Sequence, residues 1–472
     1  MKCFEMSVPE FRMISWWGWV VVALSSVQYA LVLGPVYNYS IVLLSFQEEF
    51  HTSTSFTGWV GSLAHALVSI GTLPAAVCLR KLSPRVVTFM GIFLYCGGVA
   101  STAFVPSLGY VVVTYSVISG LGMSFVVQAG IVLTLAWFPK KYCARATSAL
   151  MIGTPCGTLI SGPVLNGLTA VLGWRHAFLI IASFTLVVSS VGASFLSNPL
   201  PGKPSQVPKE ITTETEDDDD KQHHVVLEDF ELPPFYCHCD PWLWFVGIGI
   251  GSLSWGFLAT NLASFMNDIG LTIGDVSFAI ISISMGDIIG KILISAFLDS
   301  LKFLKIFFIA GSFISCGIFS GLLVNTSTLI PVIVLTFLLG LARAAFFGTV
   351  IVSAMELFSV YGIETITIIT LVPFGIGTLI SAPLSGGLFD LTGDYTLSLL
   401  VLVFLLTLST ICMLLIPFKM ELRSWRMRGR SPDTSPIDGM SPSVDGVNKS
   451  VAGGLSRGVD DNMTNMGFTD DF

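Results

Sequence analysis

The sequence predicts an all-α polytopic membrane protein, with twelve transmembrane helices in two six-helix halves. Three observations carry this expectation: the scarcity of charge, the spacing of apolar runs, and the placement of lysine and arginine. Of 472 residues, 53% are apolar and 11% charged, against about 25% charged in a soluble domain. Segments 198–240 and 418–472 hold 29 of the 54 charged side chains, leaving 25 for the other 374 residues. A soluble enzyme, a nucleic-acid-binding protein and a secreted disulfide scaffold are all excluded.

Apolar runs of about 20 residues, the length that crosses a bilayer, fall into two sets of six. The first set lies near 14–44, 57–78, 86–105, 108–136, 146–171 and 175–197. The second lies near 242–265, 274–298, 304–325, 328–354, 365–389 and 395–417. The organisation read from these runs begins with an N-terminus at 1–13, followed by an N-terminal half at 14–197. A linker at 198–240 carries Pro, Glu and the Asp217–Asp220 run, the composition of a disordered segment. A C-terminal half follows at 241–417, and the tail at 418–472, rich in Ser, Gly, Pro and Asp, reads like the linker.

Orientation follows from the basic residues, which concentrate on the cytoplasmic side of membrane proteins. With the N-terminus inside, 20 of the 23 Lys and Arg lie in cytoplasmic segments, Arg175 alone lies outside, and Lys291 and Arg343 fall within spans. Both termini are therefore expected in the cytoplasm.

The nine cysteines sit mostly inside expected spans, where a thiol behaves as a small apolar group. They show neither metal-ligand spacing nor a disulfide framework. Cys237-His238-Cys239 reads as the end of a solvated linker or a lipidation site rather than a metal site. No cofactor is expected, and no Gly-x-x-x-x-Gly-Lys-Ser/Thr phosphate cradle exists to power a pump.

An internal echo links the halves. Residues 157–163 read Gly-Thr-Leu-Ile-Ser-Gly-Pro, and 377–383 read Gly-Thr-Leu-Ile-Ser-Ala-Pro, identical at six of seven positions across an offset of 220 residues. One lies in the fifth span and the other in the eleventh, which are equivalent places. Two six-helix halves joined by a long cytoplasmic loop describe the parallel repeat of major facilitator transporters, whose substrate site lies at midplane between the halves.

Charge at membrane depth costs about 2.5–3.5 kcal/mol even on the mildest scale, so each such residue is a candidate for function. Asp287 and Lys291 stand four apart in the eighth span, on one helix face and within ion-pair reach. Arg343 lies near the centre of the tenth span with no acid within four residues. Its guanidinium stays charged, so Asp287 or a bound anion is expected to meet it. Lys291 and Arg343 are candidate substrate-binding residues and Asp287 a candidate for proton coupling, with a purely structural bridge as the alternative. Tyr37 and Asn38 in the first span, and Gln128 in the fourth, are candidate pathway residues, although interhelical hydrogen bonds account for such groups equally well. His65 in the second span reads as a structural imidazole or a proton relay, and Trp16, Trp17 and Trp19 as an interfacial belt.

At these residues the chain resembles the monocarboxylate transporter family, within the major facilitator superfamily. Trp17-Gly18-Trp19 is similar to the end of that family's first-span signature. Trp137-Phe-Pro-Lys140-Lys141, followed by Gly153-Thr-Pro-Cys-Gly157, resembles the family's approach to the fifth span. Asp287-x-x-x-Lys291 falls where the family has an Asp and an Arg four apart. The chain departs from the pattern at Ile14, Ser15 and Trp16, at Lys291, and after Pro35, where Val36 and Tyr37 stand without the lysine of proton-coupled members.

The resemblance implies a plasma-membrane secondary carrier of small organic anions, with proton symport in question and a single-span glycoprotein as an expected partner. The alternatives are an uncoupled facilitator of amino acids or other small solutes, and a non-transporting nutrient sensor.

Overall fold

The computed structural model describes residues 8–52, 54–138, 142–197, 239–271, 273–298, 304–326, 328–358, 361–392 and 396–428. Most of the expected linker, with Cys237 and His238, and the tail beyond 428 lie outside the described residues. Residues Met1–Leu422 form one compact unit; of the second, Arg423–Phe472, only the end of the last helix is described.

Every regular element among the described residues is helical. Lipid offers backbone N–H and C=O groups no partners, so a lone apolar segment satisfies them only by coiling on itself. The first span comprises α1 (Val8–Tyr37) and α2 (Tyr39–Phe50), and the second α3 (Thr54–Ile70) and α4 (Thr72–Lys81). The third is α5 (Pro84–Thr102); the fourth combines α6 (Leu108–Val111), a π-helical stretch Val112–Ile118 and α7 (Ser119–Trp137). After α8 (Cys143–Ser194) come α9 (Cys239–Asp268), α10 (Ile273–Phe297), α11 (Ile306–Leu323), α12 (Leu329–Leu357), α13 (Ile363–Thr392) and α14 (Thr396–Arg428).

Ten segments are long and apolar enough to cross a membrane, α8 counting as one of them and α9 as none. A straight helix of the 52 residues in α8 would run about 78 Å, far beyond a hydrocarbon core of about 30 Å. It turns back at Gly173, where φ is 78° and ψ 159°. With α8 crossing twice and α9 once, the bundle has twelve crossings. Gly173 sits in a backbone region open essentially to glycine alone, and a Cβ there would meet nothing within 4 Å. Gly173→Ala is therefore expected to cost about 1–3 kcal/mol through the backbone alone, read as a lower thermal midpoint of the detergent-purified protein.

Close helix contact explains the internal echo. In lipid, helices associate through small residues that let backbones approach. A Cβ on Gly157 would fall against the Ala30 carbonyl of α1, and one on Gly377 against the Gly249 carbonyl of α9. The two echoed glycines thus perform the same task in α8 and α13: each lets its helix lie directly on the first helix of its own half. Substituting either requires those backbones to separate.

The ends of the bundle are tied by polar contacts. Arg175 pairs with Glu49 at 2.7 Å and donates to the carbonyls of Ala103 and Val105 at 2.6 and 3.1 Å, while the Trp174 indole donates to the same Glu49. The outlying arginine of the sequence is thereby spent on joining α2, the end of α5 and the α8 turn. At the opposite end, Lys419 pairs with Asp240 at 2.6 Å, joining α14 to α9.

The tryptophans that open the first span are not a simple belt. Trp16 is exposed, but Trp17 Nε1 donates to Ser197 Oγ at 2.8 Å, and Trp137 Nε1 donates to the Ser197 carbonyl at 2.9 Å. Trp19 packs on Phe138 with ring centroids 4.9 Å apart, and a side chain on Gly18 would press on Phe138 and Trp137. The Trp17-Gly18-Trp19 and Trp137-Phe138 motifs, 120 residues apart in the chain, form one packed unit.

Candidate functional site

Glycines set the geometry of the charged centre. Gly286 and Gly290 of α10 face α12, where a Cβ on Gly286 would strike the Phe337 carbonyl and one on Gly340 would lie 2.9 Å from the Asp287 amide nitrogen. This close crossing draws Arg343, one turn past Gly340, up to Asp287, one residue past Gly286. Lys291 Nζ lies 3.0 Å from Asp287 Oδ1 and 3.1 Å from Oδ2, and Arg343 Nε lies 3.7 Å from Oδ2. Asp287 and Lys291 are 1% and 2% exposed; Arg343 keeps 21% of its side chain accessible.

One carboxylate thus faces two cations, so the ionised centre carries a net charge of plus one. Aromatic faces shelter the excess. The Arg343 guanidinium carbon stands 5.1 Å from the Tyr37 ring and 5.4 Å from Phe347, and Lys291 Nζ stands 5.8 Å from Phe347. Tyr37 belongs to the first half and Arg343 to the second, so this contact also bridges the two.

The centre opens on two adjoining cavities. The larger, of about 200 Å³, is bounded by α1, α2, α3, α9, α10, α12 and α13, with Tyr37, His65, Trp255, Arg343, Phe347 and Phe374 among its walls. The smaller, of about 80 Å³, has Lys291, Arg343, Thr154 and Thr370 in its lining. Tyr37, Arg343, Phe347 and Phe374 border both. His65 places Nδ1 3.3 Å from the Gly61 carbonyl oxygen and stands edge-on to Tyr37 at 4.6 Å.

Of the six candidate residues, Asp287, Lys291, Arg343 and Tyr37 converge here, and Asn38 and Gln128 border neither cavity. Asn38 holds the break between α1 and α2: its Nδ2 lies 3.1 Å from the Gly34 carbonyl and 2.8 Å from both the Thr158 carbonyl and Ser161 Oγ. Gln128 is fully buried and donates from Nε2 to Thr367 Oγ1 of the other half at 2.5 Å. Both are structural ties in this arrangement, for the general reason that a polar group buried in a bundle takes a partner wherever geometry offers one. Phe347 and Phe374 carry no charge or polar group to mark them within apolar spans, but Phe347 stands four residues after Arg343, the spacing that puts an aromatic ring beside a cation on one helix face.

Further polar contacts between the halves cluster near Gln128, at the end of the bundle that carries the basic loops. Arg145 donates to the Ala296 carbonyl at 3.0 Å, Ser295 to the Arg145 carbonyl at 3.1 Å, and Ser148 to the Gly348 carbonyl at 3.2 Å. The cavity instead extends toward Leu43 and Gly58, the other end. If Gln128 helps to hold the basic end shut, Gln128→Ala should loosen it. Cys78, which like Ile363 packs against the cluster of Ala75, Leu79, Val87, Phe125, Ala129 and Val132, is then expected to react faster with an aqueous maleimide in a variant that keeps it as its sole cysteine. An unchanged rate would show that the hydrogen bond bears no gating load.

Two six-helix halves enclosing a charged cavity define the major facilitator fold. A model of the Major Facilitator Superfamily matches residues 19–363, and the chain belongs to that superfamily. It is similar to monocarboxylate transporter 13 of Rattus norvegicus, 23% identical over 82% of this chain and 85% of that one. It is also similar to monocarboxylate transporter 2 of Homo sapiens, 28% identical over 43% of this chain and 42% of that one. Monocarboxylate transporter 9 of Gallus gallus is 25% identical over 42% and 38%. The matches to the chicken and human proteins thus span about two fifths of their length. Among solved structures, a bacterial homologue of the human lysosomal transporter Spinster superposes with a TM-score of 0.54 at 14% identity, over 87% of this chain and 98% of that one. That likeness concerns the fold.

Proposed function

We propose that the protein is a secondary carrier that moves small organic monoanions across the membrane by alternating access. The observation that supports this reading best is the net positive charge of Asp287, Lys291 and Arg343 at the wall of a cavity between the two halves. A carboxylate entering that cavity balances the excess charge, whereas a neutral solute leaves it unbalanced in a medium where charge is poorly screened. The similarity to monocarboxylate transporters agrees with an anionic substrate.

Proton symport is part of the proposal. With Asp287 ionised, Lys291 is neutralised by its neighbour; a proton on Asp287 frees the lysine for the anion, so that proton and anion bind together. The orientation with both termini in the cytoplasm, the plasma membrane as location and a single-span glycoprotein partner belong to the same reading. In that orientation the closed basic end faces the cytoplasm, and the arrangement described is outward-facing.

Uptake of radiolabelled monocarboxylates by proteoliposomes at two pH values tests the reading. A carrier of the proposed kind accumulates anion, faster with an inward proton gradient. A facilitator of neutral solutes moves amino acids regardless of the gradient, and a sensor binds ligand without flux.

A further inference from the structure

The two cavities differ in size and in which cations reach them, and the difference bears on the substrate. Among the described residues, Lys291 and Arg343 reach the smaller and Arg343 alone the larger. The smaller holds Lys291 with Arg343 and two threonines, and its 80 Å³ exceeds several-fold the roughly 10–15 Å³ needed by one water. That is room for a carboxylate-sized group, held where Lys291 and Arg343 are the cations on an otherwise mainly apolar wall. The larger measures about 200 Å³, more than the roughly 150 Å³ of an apolar cavity that admits a benzene ring. Its walls carry Trp255, Phe347, Phe374, Leu339 and Ile283.

Several polar groups on those walls are already engaged. Thr378 Oγ1 donates to the Phe374 and Gly375 carbonyls at 3.1 and 2.9 Å, Ser381 Oγ to the Thr378 carbonyl at 2.7 Å, and Tyr39 to the Thr57 carbonyl at 2.8 Å. A hydroxyl that donates to backbone has no proton left for a carboxylate, although its oxygen can still accept. The larger cavity therefore presents a mainly apolar, aromatic surface, with Ser62 Oγ, His65 Nε2 and Trp255 Nε1 as its unpartnered buried polar atoms among the described residues and charge at the edge where Arg343 borders both spaces.

We infer that the preferred substrate is a monocarboxylate with a bulky apolar body, of aryl or arylalkyl type, seated with its carboxylate between Lys291 and Arg343 and its body against Trp255, Phe347 and Phe374. The inference rests on the carrier reading above and narrows it. Among the described residues, the larger cavity has no lysine or arginine beyond Arg343 to meet a second carboxylate at the far end of the body, and its volume leaves an acid as short as acetate with almost no contact.

Full-length protein in proteoliposomes decides this, with labelled acetate, phenylacetate and succinate measured under one inward proton gradient. Phenylacetate is expected to half-saturate at a concentration about tenfold or more below acetate, the ratio given by taking a phenyl-sized apolar surface out of water, and succinate is expected not to be carried. Ile283→Phe, which fills the larger cavity, should raise the half-saturating concentration of phenylacetate about tenfold and leave that of acetate within about twofold. Equal saturation by acetate and phenylacetate, or transport of succinate, overturns the inference while the carrier reading stands. Flux of none of the anions, from protein that elutes as a single folded species, overturns the carrier reading itself.

Discussion

Arg343→Gln is expected to abolish saturable anion uptake while leaving the protein folded and inserted. The arginine touches Asp287 only at 3.7 Å, so its loss leaves the 3.0 Å bond between Lys291 and Asp287 intact and the centre neutral. An entering carboxylate then meets no excess positive charge. Removing one partner of a buried charge pair costs about 2–5 kcal/mol, which is a fall of at least about 30-fold in uptake at subsaturating substrate. Arg343→Lys should recover only part of it, because an ammonium lacks the planar fork that grips a carboxylate with two bonds. The measurement is initial uptake rate per protein in the membrane, with reconstitution checked by immunoblot. Normal uptake by well-inserted Arg343→Gln removes the arginine from the binding site.

Asp287→Asn is the second large effect, and its sign separates coupling from structure. The amide keeps the size of the carboxyl and the hydrogen-bonding capacity of its protonated form but removes the charge. Lys291 and Arg343 are left facing each other without a counter-ion, and breaking a buried pair in this way costs about 3–5 kcal/mol. A lower thermal midpoint in detergent is therefore expected, and substrate anion should restore part of it by supplying the missing negative charge. Under the symport mechanism wild-type uptake accelerates with an inward proton gradient, whereas uptake by the variant ignores the gradient. If wild-type uptake of every monocarboxylate tested is indifferent to the gradient, the coupled mechanism fails and Asp287 is a structural bridge.

Much of the fold was legible in the chain because its causes are local. A run of apolar residues long enough to cross lipid has to become a helix, so the crossings follow from composition, and basic loops suggest orientation in the same local way. The ion pair at Asp287 and Lys291 was legible too, since helical spacing alone places residues four apart side by side. Even the echo of residues 157–163 in 377–383 was visible, although its reason was not. That reason lies in the backbones of α1 and α9, against which Gly157 and Gly377 rest.

Other assignments required the third dimension. Gln128, Asn38 and Tyr37 are alike in sequence, polar groups inside apolar spans; only Tyr37 reaches the cavities, while Gln128 and Asn38 hold neighbouring helices. Trp17 and Trp137 share no pattern that would foretell their meeting on Ser197. The sequence by itself determined that this protein spans a membrane many times in two like halves, and which few charges must be explained. Tertiary structure decided that Asp287 answers to Arg343 as well as Lys291, and that the excess charge borders an aromatic cavity. The physical reason is that burial in lipid constrains each residue singly, whereas pairing depends on where a glycine seam lets two helices touch.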